Sequence, residues 1–599
     1  MAQELQKRSE VKIEDTWDLT LLYKTKDEWE KDVKRVEELA DKVASFKGRV
    51  SESGKVLLEI LDVYSKGCQI VEKVFDYASR LSDQDQGDSE NKIMASRAMS
   101  LYIESESKAA FITTEIIAIE DDALENFYKE EKGLELYRIY IDEIRRVKAH
   151  VRSAEVEELL ASAGEMTNSP DDIYSSFTNV DMKFPEIVDE NGETVRITEG
   201  RYIRFLESSD RRVRKDAFDK YYKVHEDYIN SMASMYNAQV KALIFGAKAR
   251  RYDNTLEAAV DANNVPSIVY HNLVDCVNDN LDKLHRFVGI RKKFMGLKEL
   301  HMYDLYTPMV EGVARKYSFD EAKDLALKAL APLGEDYLAV VKEAFANRWI
   351  DKYENQGKRS GAYSAGAYGC PPYILLNYNG ALDEVFTLVH EMGHSMHTYH
   401  SCKAQPFIYS QYKIFVAEVA STCNELLLLE YLLKNTTDKK ERIYLLNHYM
   451  DMFRTTMFRQ TQFAEFEMKT NKMVEDGEAL TADNLSKLYH EINGKYYGDG
   501  IVNDDAIAYE WSRIPHFYYN FYVYQYATSF CASVYIAHEI LKQGEPMVKK
   551  YKEFLSGGCS KSPVDLLKIV DVDFTTKKPI QSALDVMAEV LTELESLEN

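Results

Sequence analysis

Read for the spacing of apolar and polar positions, the chain is dominated by helical periodicity. Trp29, Val33, Val36, Leu39 and Val43 recur at three- and four-residue intervals, and Leu57, Ile60, Leu61, Tyr64 and Ile70 repeat the pattern. Such stripes predict amphipathic helices that bury one face. Over residues 26–160 they predict antiparallel helices joined by short polar turns at Gly48 and at Ser51 to Gly54. A cluster of Asn, Ser, Pro and Asp from Thr167 to Asp172 predicts a break. Beyond it, Val180 to Val188 and Thr194 to Phe205 flank Glu190-Asn191-Gly192, and Asn-Gly between β-prone runs signals a hairpin. Helical spacing resumes over residues 210–346. Residues 357–380 differ, because Gly357, Gly361, Gly366, Gly369 and Gly380 punctuate a run rich in Tyr and Ser. Glycine-rich loops are predicted there, leading through Pro371 to Tyr378 into a short strand.

Composition sharpens this into a mostly helical protein. Gly (26) and Pro (12) form about 6% of 599 residues, roughly half the usual share. The length calls for several subdomains, each able to bury its own apolar face. A formal charge of −24 argues against nucleic acid or an anionic membrane as partner, since both need a basic surface. The seven cysteines are scattered and form no CxxC pair, so neither a thiolate zinc site nor a disulfide framework is expected. No apolar run approaches the ~18 residues that span a bilayer, and Met1 to Asp15 lacks the apolar core of a signal peptide. A cytoplasmic protein is expected.

Candidate chemistry enters at His390-Glu391-Met392-Gly393-His394. Histidines at i and i+4 stand one helical turn apart, so both imidazoles reach one metal ion, and the intervening glutamate can act as base on a metal-bound water. The flanks predict a helix, since Leu382, Val385, Phe386, Val389, Met392 and Met396 form a sustained apolar stripe. Gly393 in mid-helix costs about 1 kcal/mol relative to Ala and suggests that a backbone or ligand approaches closely. His400 sits where one zinc protease pattern has its third histidine, but that pattern needs a Gly where this chain has His397. A carboxylate from a second helix is the better third ligand. Glu418 lies in Phe415-Val416-Ala417-Glu418-Val419-Ala420, where burial is costly unless the group is paired or bound to metal. Glu425, at i+7, shares its face and suits an outer partner that orients a ligand. Two His and one Glu leave the fourth tetrahedral position open, the mark of a catalytic zinc.

Hydrolysis of a carbonyl substrate also needs donors for the developing oxyanion. On a continuous helix, His516, Tyr519, Tyr522 and Tyr526 would share one face and present an imidazole and several phenols.

Taken together these segments resemble the oligoendopeptidase F branch of the thimet-type zinc oligopeptidases. The match includes Thr387-Leu388-Val389 before the motif and Ser395-Met396-His397 after it, giving HExGHxxH. It extends to Phe415 through Glu425, His516 through Tyr526, Gly361-Ala362-Tyr363, Pro372 to Asn377, Thr16 to Leu19 and Trp29-Glu30. The resemblance implies one zinc ion held by His390, His394 and Glu418, with Glu391 as catalytic base. His516 and Tyr526 are implied as contacts to the scissile carbonyl, joined by one of Tyr519, Tyr522 and Tyr524. It further implies a mainly α, two-lobed, zincin-like metallopeptidase with a deep central channel and small β elements. Residues 1–110 would be an N-terminal helical region, 111–200 an oligopeptidase F-type N-terminal lobe, and 201–599 the catalytic region. The expected activity is zinc-dependent endopeptidase cleavage of short unfolded peptides, with Glu391 activating a zinc-bound water. A peptidyl-dipeptidase or carboxypeptidase on the same ligands is the enzymatic alternative, and an inactive helical scaffold the non-enzymatic one.

Overall fold

The computed structural model describes residues 5–310 and 315–598. Helices account for most of them, and the strands are few and short. The chain divides into two compact units, each assembled from three segments: Met1–Ala149, Arg315–Leu428 and Ile536–Asp571 in one, His150–Ala314, Leu429–Tyr535 and Val572–Asn599 in the other.

In the first unit, helices Lys26–Ala44, Gly54–Gln84 and Ser89–Ala109 pack on one another. Each start carries a side-chain cap: Thr25 accepts from the Glu28 amide, Ser53 from Val56, and Asp88 from Glu90 and Asn91. These bonds satisfy amides that a helix start otherwise leaves unpaired. Trp29, Val33, Val36 and Val43 are buried, as are Leu57, Ile60, Leu61 and Ile70, which is the face the spacing predicts. Trp29, Val33, Val36 and Ile70 share one core with Trp17 and Leu19, whereas Val43, Leu57, Ile60 and Leu61 belong to a second. Trp17 meets Tyr373 edge-on at 6.2 Å. Tyr373 belongs to a three-stranded sheet in which Tyr373–Leu375 lies centrally. It pairs parallel with Ile350–Asp351 and antiparallel with the edge strand Tyr363–Ala365. The strand predicted before the motif helix is therefore present, and the glycine-rich run delivers a second one.

The second unit holds the predicted hairpin in shortened form. Glu186–Val188 pairs antiparallel with Thr194–Arg196, and Gly192 occupies the positive φ that the turn requires. Two expectations fail here. Val180 lies in a π-helical turn, Phe177–Asp181, and the second strand stops at Arg196 because a helix begins at Glu199 and buries Tyr202 and Leu206 at i and i+4. Nor does the chain break at Thr167 to Asp172, since helix Gly164–Ser176 runs through Pro170. Packing outweighs the lost backbone bond: Tyr174 stacks on Tyr518 at 4.3 Å and donates to the Ser512 carbonyl at 3.2 Å. Of the helical stretch expected over 210–346, residues 311–314 lie outside the described residues.

Candidate active site

His390, Glu391 and His394 lie mid-way along the unbroken helix Leu382–Ala404, and Glu418 lies on helix Ile414–Asn435. The first helix buries Val385, Phe386, Val389, Met392 and Met396, which leaves the two histidines one turn apart on the adjoining face. The helices meet at Gly393. A Cβ there would lie 2.6 Å from the Ala420 carbonyl oxygen and 2.6 Å from Ser421 Cα, closer than carbon tolerates, so only glycine permits the approach. Asn424 clamps the crossing by donating Nδ2 to the Val389 carbonyl at 3.0 Å.

This approach gathers the ligand atoms. His390 Nε2 and His394 Nε2 are 3.2 Å apart, and each is 3.4 Å from the same Glu418 oxygen. Among the described residues, these three form the one group of His, Cys, Asp or Glu whose donor atoms all lie within 4.8 Å. Ligands about 2.0–2.1 Å from a tetrahedral zinc stand about 3.3 Å from one another, so the group fits such an ion as it stands. Two imidazoles and a carboxylate are the donor set of a hydrolytic zinc with an open position.

The surroundings orient these donors. Glu425 accepts a hydrogen bond from His390 Nδ1, which fixes the tautomer whose Nε2 lone pair faces the group. Ser421 Oγ donates to the Glu418 carboxylate at 3.0 Å. Burial would lower the His390 imidazole, yet its bonds to Glu418 and Glu425 carry it up to about 10. Glu418 moves the opposite way: burial favours its neutral form, but both histidines hold it well below the usual carboxylate range. These opposite shifts reflect the close pairing of Glu418 with His390 and His394. Glu391, 7% exposed, is raised by burial.

The other histidines of the stripe lie outside the group. His397 is buried against Tyr412, its ring stacked at 3.7 Å, and burial holds it neutral at about 3. His400 is likewise lowered by burial, to about 4, beside Tyr337. A three-histidine arrangement does not form.

In the second unit the segment from His516 to Tyr526 is not the continuous helix expected. A 3-10 turn, Pro515–Tyr518, ends at Tyr519, and a new helix starts only at Tyr524. Between them Asn520 and Phe521 both adopt φ +55°, which asparagine tolerates and which costs phenylalanine about 1–2 kcal/mol. The rings nevertheless gather around His516: Tyr519 at 5.6 Å, Tyr522 at 6.1 Å and Tyr526 at 5.9 Å between centroids. Tyr524 instead packs into the core at 5.1 Å from Tyr270. Burial, aided by Arg459, lowers the His516 imidazole.

No sequence pattern singles out Ser421, Asn424 or the Ser364–Ser395 hydroxyl pair, 2.8 Å apart, which ties the edge strand to the motif helix. Serine and asparagine within helices are too common to signal a role. Gly393 alone hinted at the close crossing.

The model of peptidase family M3 matches residues 204–586, and that of the oligopeptidase F N-terminal region matches residues 115–184. Oligopeptidase PepF of Bacillus subtilis is 46% identical over 596 residues, covering 100% of this chain and 89% of that protein. An oligoendopeptidase F homologue of Lactococcus lactis is 40% identical, covering 98% of both chains. Oligoendopeptidase F from Enterococcus faecium superposes with a TM-score of 0.74 at 38% identity over 95% of this chain and 99% of its own. A Chlamydophila abortus structure reaches 0.93 at 34% identity, over 99% and 100% of the two chains. The chain belongs to peptidase family M3, in its oligopeptidase F branch, and is a metallo-endopeptidase.

Proposed function

We propose that the protein is a zinc-dependent endopeptidase that cleaves short, unfolded oligopeptides, with one ion held by His390, His394 and Glu418. The observation that carries this reading is the convergence of two imidazole nitrogens and one carboxylate oxygen at 3.2–3.4 Å, with Glu391 on the same helix. When bound, zinc supplies Lewis acidity toward a water and the scissile carbonyl. Glu391 takes a proton from the attacking water and delivers it to the leaving amine. Glu425 keeps His390 in its ligating tautomer, and Ser421 steadies the Glu418 carboxylate. His516 and Tyr526, with Tyr519 or Tyr522 beside them, donate hydrogen bonds to the oxyanion of the tetrahedral intermediate.

A cytoplasmic role in peptide turnover suits a chain whose seven cysteines are all unpaired. Among the described residues, no helix is long and apolar enough to cross a membrane.

The test pairs elemental analysis with turnover. Glu391→Gln is expected to bind zinc at wild-type stoichiometry and lose about 10³-fold or more in kcat, whereas His390→Ala loses the metal. Full activity in a metal-verified Glu391→Gln variant overturns the mechanism. Digestion of a defined peptide mixture with free and amidated C-termini, read by mass spectrometry, separates the endopeptidase from a peptidyl-dipeptidase. Internal cleavage should survive amidation and stop with a chelator.

A further inference from the structure

The chain reverses between His516 and Tyr526 through two successive left-handed residues, Asn520 and Phe521, each at φ +55°. Asparagine tolerates that region; phenylalanine needs the surrounding structure to impose it. The constraint comes from helix Arg459–Glu475, where Glu467 Oε1 accepts the Phe521 backbone N–H at 2.7 Å. Glu467 is 0% exposed, and its Oε2 has no hydrogen-bond partner among the described residues. A buried carboxyl group is costly, and the amide of a strained residue is the one bond this side chain makes there. Gln239, on helix Ile229–Ala249, fastens the other side by donating Nε2 to the Tyr518 carbonyl at 3.2 Å and to Asn520 Oδ1 at 3.1 Å. The Phe521 ring is buried against Tyr270 at 5.8 Å.

The reversal decides where the aromatic groups fall. Tyr519 enters the turn and Tyr522 leaves it, so their rings approach His516 at 5.6 Å and 6.1 Å, and Tyr526 follows from the next helix at 5.9 Å. We propose that Glu467 is a positioning residue of the peptidase: through the Phe521 amide it holds the left-handed Asn520–Phe521 turn that arranges His516, Tyr519, Tyr522 and Tyr526. This rests on the reading of His516 and Tyr526, with Tyr519 or Tyr522, as the group that stabilises the oxyanion.

The test is steady-state cleavage of an internally quenched oligopeptide by full-length enzyme, alongside zinc content, Tm and imidazole NMR signals. Glu467→Leu removes the acceptor, and Asn520→Val places a β-branched residue at positive φ. Both are expected to lower kcat about 10–100-fold, with KM within about threefold and zinc unchanged. Glu467→Gln keeps an oxygen acceptor and Asn520→Gly adopts positive φ freely, so both should hold kcat within about threefold of wild type. The His516 imidazole signals, assigned by their loss in His516→Ala, should move in the two impaired variants and stay in the two conservative ones. Asn520 is exposed, so where Glu467→Leu is too unstable to purify, the valine–glycine contrast still tests the turn, and retained kcat in Glu467→Gln still tests the acceptor. Wild-type kcat in Asn520→Val, or a lowered Tm with unchanged kcat in Glu467→Leu, overturns the proposal. So does equal loss in Glu467→Gln and Glu467→Leu, which would show that an oxygen acceptor at this position does not sustain turnover. If His516→Ala and Tyr526→Phe keep full turnover, the reading of the aromatic group fails. If they lose it while Asn520→Val does not, the positioning role alone fails.

Discussion

The first unit carries His390, Glu391 and His394 on a helix unbroken from Leu382 to Ala404, while the second carries His516, Tyr519, Tyr522 and Tyr526 on a chain that turns, reverses and restarts within the segment. Both regions gather polar side chains, by different means. Regular helices fix side-chain direction through their periodicity, so two helices crossing at a glycine bring three ligand atoms together with little backbone cost. The aromatic segment relies on backbone strain stored at Asn520 and Phe521 and on buried groups that oppose it. A zinc site demands donor atoms placed to within a few tenths of an ångström, which regular helices deliver. In the proposed function, the aromatic donors must reach a group that forms only during reaction, and a turn can present rings from both of its arms.

The contrast between the two regions is tested most severely at the helix crossing. Gly393→Ala would drive a Cβ to within 2.6 Å of the Ala420 carbonyl and Ser421 Cα, both backbone atoms that cannot swing aside. The helices must separate, at a cost of about 1–3 kcal/mol. Shifting Glu418 away from the histidines should remove most bound zinc and with it nearly all turnover. Elemental analysis and a thermal melt check this: a variant with full zinc and wild-type Tm would show that the crossing does not set the ligand geometry.

The same contrast explains what the sequence reveals and what it hides. Trp29, Val33, Val36 and Val43 announce their helix because burial repeats at its period. For the same reason the crossing face of Glu418 and Glu425 is legible from seven-residue spacing, since both carboxylates reach His390. Where geometry departs from a regular period, legibility ends. Nothing in Tyr519-Asn520-Phe521-Tyr522 marks a phenylalanine at positive φ, because the constraint comes from Glu467, far away in sequence. Pro170 reads as a breaker, yet packing of Tyr174 keeps its helix intact. The assembly of each unit from three separate segments leaves no trace in local patterning, which records only neighbours along the chain.

The aromatic region should respond to substitution without touching the metal. His516→Ala and Tyr526→Phe are each expected to lower kcat about 10²–10³-fold, the usual loss for one oxyanion donor. Zinc content and Tm should stay at wild-type values, because neither side chain belongs to the ligand group. Kinetics on metal-verified protein separates the two regions. Loss of zinc in either variant would mean that they are not independent.

The smallest effect tests how far the helical region depends on its outer partner. Glu425 accepts the His390 Nδ1 hydrogen bond, and a glutamine there keeps an oxygen acceptor while losing the charge that strengthens that bond. Glu425→Gln should therefore weaken zinc binding about 10–100-fold while leaving kcat of the fully loaded enzyme close to wild type. Chelator competition measures the affinity, and turnover at saturating zinc measures the rest. If kcat falls at saturation while affinity holds, Glu425 acts on the reaction rather than on the ligand. The division would then no longer separate a region that holds the metal from one that handles the substrate, because a residue of the helix pair would be serving both.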